Sequence, residues 1–140
     1  MMLISAFPGC GKTWLFNHSD KRVLDSDSSL FDKSAFPDNY IAHIAENMDR
    51  ADIVLISTHA TVRSALVANG MEFVLVYPDR KMKEEYLLRY GERGNDDGFI
   101  SLLESNWDGW ISELERQTGC VHVVLKRGQF LSDVVEYLQG

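Results

Sequence analysis

MLISAFPGCGKT, residues 2–13, is the stretch on which the reading of the fold turns. Met2, Leu3, Ile4 and Ala6 make a short apolar run predicted to be a buried strand. Phe7-Pro8-Gly9-Cys10-Gly11 breaks the run, and Lys12-Thr13 open a helix. Strand, glycine-bearing loop and helix in that order are the context a phosphate-binding P-loop needs. Gly9 and Gly11 let the backbone curl so that successive N–H groups point at an anion. Lys12 is then placed to reach the β- and γ-phosphates of ATP, and the Thr13 hydroxyl to ligate Mg²⁺. The positive end of the helix dipole adds to the attraction. The first glycine of G-x-x-x-x-G-K-[ST] is Ala6 here, which is tolerable while that position stays in the β region. The expected cofactor-binding set is Pro8, Gly9, Cys10, Gly11, Lys12, Thr13 and Trp14, although Trp14 and Leu15 are also expected to pack on the sheet.

The 140 residues fit one domain with a sizeable core. A net charge of −7 disfavours a protein that coats nucleic acid through a broad basic face, but not one that grips a single phosphate in a small basic pocket. No apolar run approaches membrane-spanning length, and the chain starting directly in its first strand leaves no room for a signal peptide, so a cytoplasmic, membrane-free setting is expected. Cys10 and Cys120 form no metal pattern and suit a reducing compartment. Cys10 lies near a helix N-terminus, which can lower a thiol pKa; a small spacer in the loop is the simpler reading. Cys120 reads as core.

Beyond the loop, strands are predicted over residues 21–25, 52–57, 73–77 and 121–125. Residues 52–57 are apolar on both faces, as in a parallel sheet covered on both sides. Helices are predicted from Trp14 to Asn17 and over residues 40–50, with Ile41, Ile44, Ala45 and Met48 as one buried stripe. Others are predicted over residues 61–68, a charged one over 79–90, a long one around residues 100–114 with a bend at Gly109, and a closing one over 130–138. Trp107 and Trp110 stand at core spacing. Alternation throughout predicts an α/β fold with five parallel strands in one domain.

Asp25 and Asp27 fall at the carboxyl end of the second strand, where open α/β sheets bind ligands. One can hold a water of the Mg²⁺ shell while the other accepts a hydrogen bond from an acceptor hydroxyl; a solvated Asp/Ser turn has the same composition. With the loop at residues 6–13, Leu24-Asp25-Ser26-Asp27 and an arginine-bearing helix after the fourth strand, the chain resembles the small P-loop kinases of the nucleoside-monophosphate-kinase and shikimate-kinase group. It is also similar to the short nucleotide-kinase-like proteins of bacteriophages. The resemblance spans essentially the whole chain. It implies a three-layer α/β/α fold with sheet order 2-3-1-4-5 and a helical lid over residues 79–98. It further implies that Asp25 serves the magnesium shell and the acceptor, and Asp27 the accepting hydroxyl.

Two departures accompany it. Many P-loop ATPases carry an Asp at the end of the third strand, where this chain has Ser57-Thr58-His59; Asp52 stands at the wrong end to substitute. No residue set for a particular acceptor is recognisable either. His59 is a candidate contact for the acceptor or the γ-phosphate, and Arg63 a candidate clamp for an acceptor phosphate. Arg89 and Arg93 are candidate lid arginines that meet phosphoryl charge in the transition state, with Arg80 and Lys83 in the same region. Exposed salt bridges with Glu84, Glu85 and Glu92 are the competing reading. The last strand-to-helix connection stands where kinases of this group often hold adenine, so the resemblance implies that Arg127 there stacks on the base. The expected activity is phosphoryl transfer from ATP with Mg²⁺ to a small acceptor, a nucleoside or nucleotide, with Lys12, Asp27, Arg89 and Arg93 catalytic. A kinase for a hydroxyl on DNA or RNA, and a nucleotide-binding module without turnover, stand as alternatives.

Overall fold

Strands and helices alternate along the chain as β1 (Met2–Ala6), α1 (Lys12–His18), β2 (Val23–Asp25), α2 (Asp38–Asn47), β3 (Ile53–Ile56), α3 (Ala60–Ala68) and β4 (Val74–Pro78). A 3₁₀ turn (Arg80–Met82) then leads into α4 (Lys83–Glu92), α5 (Asp97–Glu115), β5 (Val121–Leu125) and α6 (Leu131–Gln139). The structure is a computed structural model that describes residues 2–25, 34–47, 49–94 and 96–139, with side chains as far as residue 135. The strands form one parallel sheet in the order β2-β3-β1-β4-β5, the order the family resemblance implies.

Burial explains the order. All four residues of β3 are fully buried, and β1 is buried from Leu3 to Ala6, so the two most apolar strands sit side by side near the middle. β2 and β5 lie at the edges and are only partly buried. Helix α1 packs on β2 and α6, α2 on α3, and α5 on β4 and α4. That distribution is compatible with a three-layer arrangement. No helix among the described residues is long and apolar enough to cross a membrane.

Several elements differ from the sequence expectation. Trp14 is 54% exposed and stacks on His18 at 4.3 Å, while Leu15 is the buried residue of α1. A seven-residue helix has one narrow inward face, and Leu15 takes it. In α2 the buried side chains are Tyr40 and Ile44; Ala45 faces outward, and Met48 lies outside the described residues. The charged helix does not begin at Asp79. The Asp79 carboxylate instead accepts from the Lys81 amide at 3.0 Å and caps the 3₁₀ turn. Helix α5 starts earlier than predicted because Asp96 caps it, accepting from the Phe99 amide at 2.7 Å, and it runs unbroken through Gly109. Cys120 is half-buried rather than fully in the core.

Candidate functional site

In an open parallel sheet, ligands bind beyond the carboxyl ends of the strands where the strand order reverses. Here that place is the end of β1 between β3 and β4. The loop of residues 7–11 leaves β1 there, and its carbonyls are turned back into the protein. Phe7 O accepts from the Cys10 amide at 3.2 Å, and Pro8 O from the Tyr90 hydroxyl. Gly9 O accepts from Arg89 Nη1 at 2.8 Å, and Cys10 O from the Leu131 amide at 2.7 Å. Gly9 and Gly11 both have left-handed φ, +90° and +96°, and no residue other than glycine does so among the described residues. Ala6 therefore sits in the strand without strain, as its place in the motif requires. The amides of Gly9, Gly11 and Thr13 find no acceptor among the described residues. Backbone amides left open at the start of a helix are groups to which an anion can bind.

A cavity of about 620 Å³ opens over that loop. Its lining includes Pro8, Gly9, Gly11, Lys12, Thr13 and Trp14 from the loop and α1, Arg89, Glu92 and Arg93 from the end of α4, and Phe130. Phe130 was not anticipated; nothing in its local sequence separates it from a core aromatic. Cys10 lines the other side. It is fully buried, its Sγ lies 3.5 Å from the Tyr86 hydroxyl, and burial pushes its thiol up to about 11. The thiol is thus held neutral, and the packing outweighs any lowering by the helix end.

Arg89 is fixed. Its guanidinium bonds Gly9 O, Gln129 O at 3.1 Å and Glu85 Oε2 at 2.8 Å, and lies over the rings of Tyr86 and Phe130 at 4.4 and 3.9 Å. Tyr86 and Tyr90 are fully buried beneath the loop, and burial raises both hydroxyls far above the ordinary tyrosine range. Helix α4 is therefore packed against the loop. Arg93, at its end, is exposed, 5.9 Å from the Tyr90 ring, and lines the cavity. Arg80 is also engaged, with Asp108, Ser112 and Glu115 of α5. Arg127 is exposed and is not part of the lining.

A second cavity, of about 420 Å³, lies between α3 and α5 and shares Pro8 with the first. Phe7 and Pro8 follow β1, Thr58 and His59 follow β3, and α5 supplies Leu102, Leu103, Trp110, Glu113 and Leu114. Trp107 is core, with its indole N–H on Arg80 O at 2.9 Å, whereas Trp110 walls this cavity. His59 is exposed at the start of α3. Arg63 is 5% exposed, and three protein groups take its guanidinium. They are Thr58 O at 2.8 Å, Gln117 Oε1 at 2.6 Å and Glu113 Oε1 at 2.5 Å. Gln117 is itself anchored, because its carbonyl accepts from His122 Nε2 at 2.7 Å while His122 Nδ1 lies 2.9 Å from the Tyr77 hydroxyl.

The third-strand end carries Ser57, whose buried Oγ has no partner among the described residues, and whose carbonyl accepts from Ser5 Oγ at 2.8 Å. Asp52, at the other end of β3, is bonded to the Arg22 amide and guanidinium, which hold its carboxyl below the usual range. Asp25 is exposed at the end of β2, with β3 between it and β1. Asp27 lies outside the described residues. Of the expected site, the structure gathers Pro8, Gly9, Gly11, Lys12, Thr13, Trp14, Arg89 and Arg93 around one cavity, and His59 and Arg63 around the other. Among the described residues no three His, Cys, Asp or Glu side chains cluster as a metal site; Thr13 and Glu92 bring side-chain oxygens to the lining of the first cavity. No protein-family model matches this chain, and no curated protein matches its sequence.

Proposed function

We propose that the protein is a phosphotransferase that moves the γ-phosphoryl group of ATP to a hydroxyl of a small acceptor, a nucleoside or nucleotide. The observation that carries this reading is the loop itself. Its carbonyls face protein donors, while the amides of Gly9, Gly11 and Thr13 have no acceptor among the described residues, beside a cavity lined in part by Lys12, Arg89 and Arg93. Such a surface suits an anion, and its three basic side chains suit a polyphosphate. Lys12 would contact the β- and γ-phosphates, and Thr13 with phosphate oxygens and water would complete the shell of Mg²⁺, which needs few protein ligands. Trp14 and Phe130, both exposed at the cavity wall, offer the base a stacking surface.

The acceptor would occupy the second cavity. Its hydroxyl oxygen would attack the γ-phosphorus, the bond from phosphorus to the β–γ bridging oxygen would break, and the hydroxyl proton would pass to the Asp27 carboxylate. Positioning and electrostatics supply most of the rate in such transfers. Arg93 would meet charge on the transferring group, and Arg89 would act by holding Gly9 and the connection before α6 in place. A lid that moved all of α4 would expose Tyr86 and Tyr90, which are buried. A binding module without turnover is favoured by one feature, the Ser57-Thr58-His59 end of β3 where an acid is common. Transfer of labelled γ-phosphate to pooled nucleosides, nucleotides and oligonucleotides tests the choice. A product that disappears with Lys12→Ala and Asp27→Asn is the expected result; no product from any pool contradicts it.

A further inference from the structure

The second cavity differs from the first in having no cation to spare. Arg63 is the only lysine or arginine among its described lining residues, and its charge is matched by the Glu113 carboxylate at 2.5 Å. Thr58 O and Gln117 Oε1 accept from two more of its N–H groups. Nothing in that arrangement is poised to release the guanidinium, because Gln117 is tied in turn through His122 to Tyr77. The other walls are apolar or aromatic: Phe7, Phe99, Leu102, Leu103 and Trp110. A phosphate brought into this space would lose its water, meet no unpaired positive group and face the Glu113 carboxylate. A flat, uncharged ring would instead meet three aromatic side chains, with Thr58 and His59 at the β3 edge to take hydroxyl hydrogen bonds. The volume of about 420 Å³ falls within the range of about 300–1,000 Å³ common for small-molecule sites.

We infer that the acceptor is an uncharged compound with a flat ring and a hydroxyl, of the nucleoside class, and that phosphorylated acceptors are rejected. The inference deepens the phosphotransferase reading and rests on it for the word acceptor, while the cavity's preference can be measured alone. The experiment is calorimetric titration of the whole chain with adenosine, thymidine, cytidine and guanosine and with their 5′-monophosphates. It is run once with the loop cavity filled by Mg²⁺-AMPPNP and once without nucleotide. At least one nucleoside should bind tenfold or more tightly than its monophosphate when AMPPNP is present.

Leu102 is 53% exposed at the cavity rim, so Leu102→Arg adds a cation without disturbing the core. That variant should narrow or invert the preference while leaving AMPPNP affinity unchanged, and Trp110→Ala should weaken nucleoside binding by about tenfold, the scale of one base–aromatic stack. Monophosphates binding as well as nucleosides, or no nucleoside binding at all, would overturn the inference. AMPPNP failing to bind would count against the phosphotransferase reading instead, with the titrations lacking nucleotide still reporting the cavity's preference.

Discussion

Over the loop, Lys12, Arg89 and Arg93 face one cavity against the single carboxylate of Glu92; across Pro8, Arg63 and Glu113 share the other cavity and are bonded to each other. Both spaces lie beyond the carboxyl ends of the central strands. They differ because one arginine in the second has its partners built in, at positions fifty and fifty-four residues away in the chain. Cationic residues near a cleft are thus of two kinds. Some present charge to a ligand, and others spend it on the fold. Arg93 belongs with the first, Arg63 and Arg80 with the second. Arg89 belongs with both, since it lines the loop cavity while three of its N–H groups are given to Gly9 O, Gln129 O and Glu85.

The sharpest way to break the contrast is to collapse one cavity. A Cβ at Gly9 would lie 3.0 Å from Tyr90 and 3.2 Å from Tyr86, at a φ of +90°. Backbone strain and overpacking each cost about 1–3 kcal/mol, so Gly9→Val should lose about 2–6 kcal/mol in urea unfolding and all nucleotide binding. Wild-type stability in that variant would mean the tyrosines do not hold the loop. Next come the two structural arginines. Arg63→Ala and Arg89→Ala each remove a largely buried guanidinium and its charged hydrogen bonds and should cost about 2–3 kcal/mol. Only Arg89→Ala should also weaken ATP, because only it moves the loop. Equal ATP affinity in the two variants would erase the distinction.

Alkaline titration addresses the back of the loop. The Cys10 thiol rises from 9.0 to about 11 on burial, so the folded state keeps a proton that the unfolded chain releases. Stability from this group is fully present below about pH 9 and declines by about 1.4 kcal/mol per pH unit as pH rises toward 11. Cys10→Ala should flatten that part of the profile, and native Cys10 should resist iodoacetamide at pH 8 until the chain is unfolded. The smallest stability effect belongs to Arg93→Ala, within about 0.5 kcal/mol of wild type as for other exposed positions. It should lower kcat by about tenfold with little change in KM for ATP, if its charge meets the transition state. Unchanged kinetics would return Arg93 to the solvated surface.

The strand, loop and helix around residues 2–13 were legible because the motif is local: a continuous apolar run, two glycines at fixed offsets and a lysine at the turn. The strand sequence was equally readable, since residues 53–56 can only be a central strand when every side chain is apolar. What could not be read was anything decided by a partner far along the chain. Arg63 and Arg80 look like surface or clamp arginines in sequence, and become ties between elements only when α5 lies beside them. Trp14 misled for the opposite reason, because a seven-residue helix is too short for periodicity to mark its inward face. The second cavity drew only on scattered aromatics of α5, where core spacing and cavity lining look alike; Trp107 and Trp110 illustrate both outcomes three residues apart.

The central claim is that the loop cavity holds the phosphates of ATP and the neutral cavity does not. It is met most directly by calorimetric titration of Mg²⁺-ATP into the wild type, Lys12→Ala and Leu102→Arg, with a melting curve for each. One site per chain, weakened at least tenfold by Lys12→Ala and untouched by Leu102→Arg at equal melting temperature, is the predicted result. No ATP binding by the wild type, or full affinity in Lys12→Ala, would contradict the account.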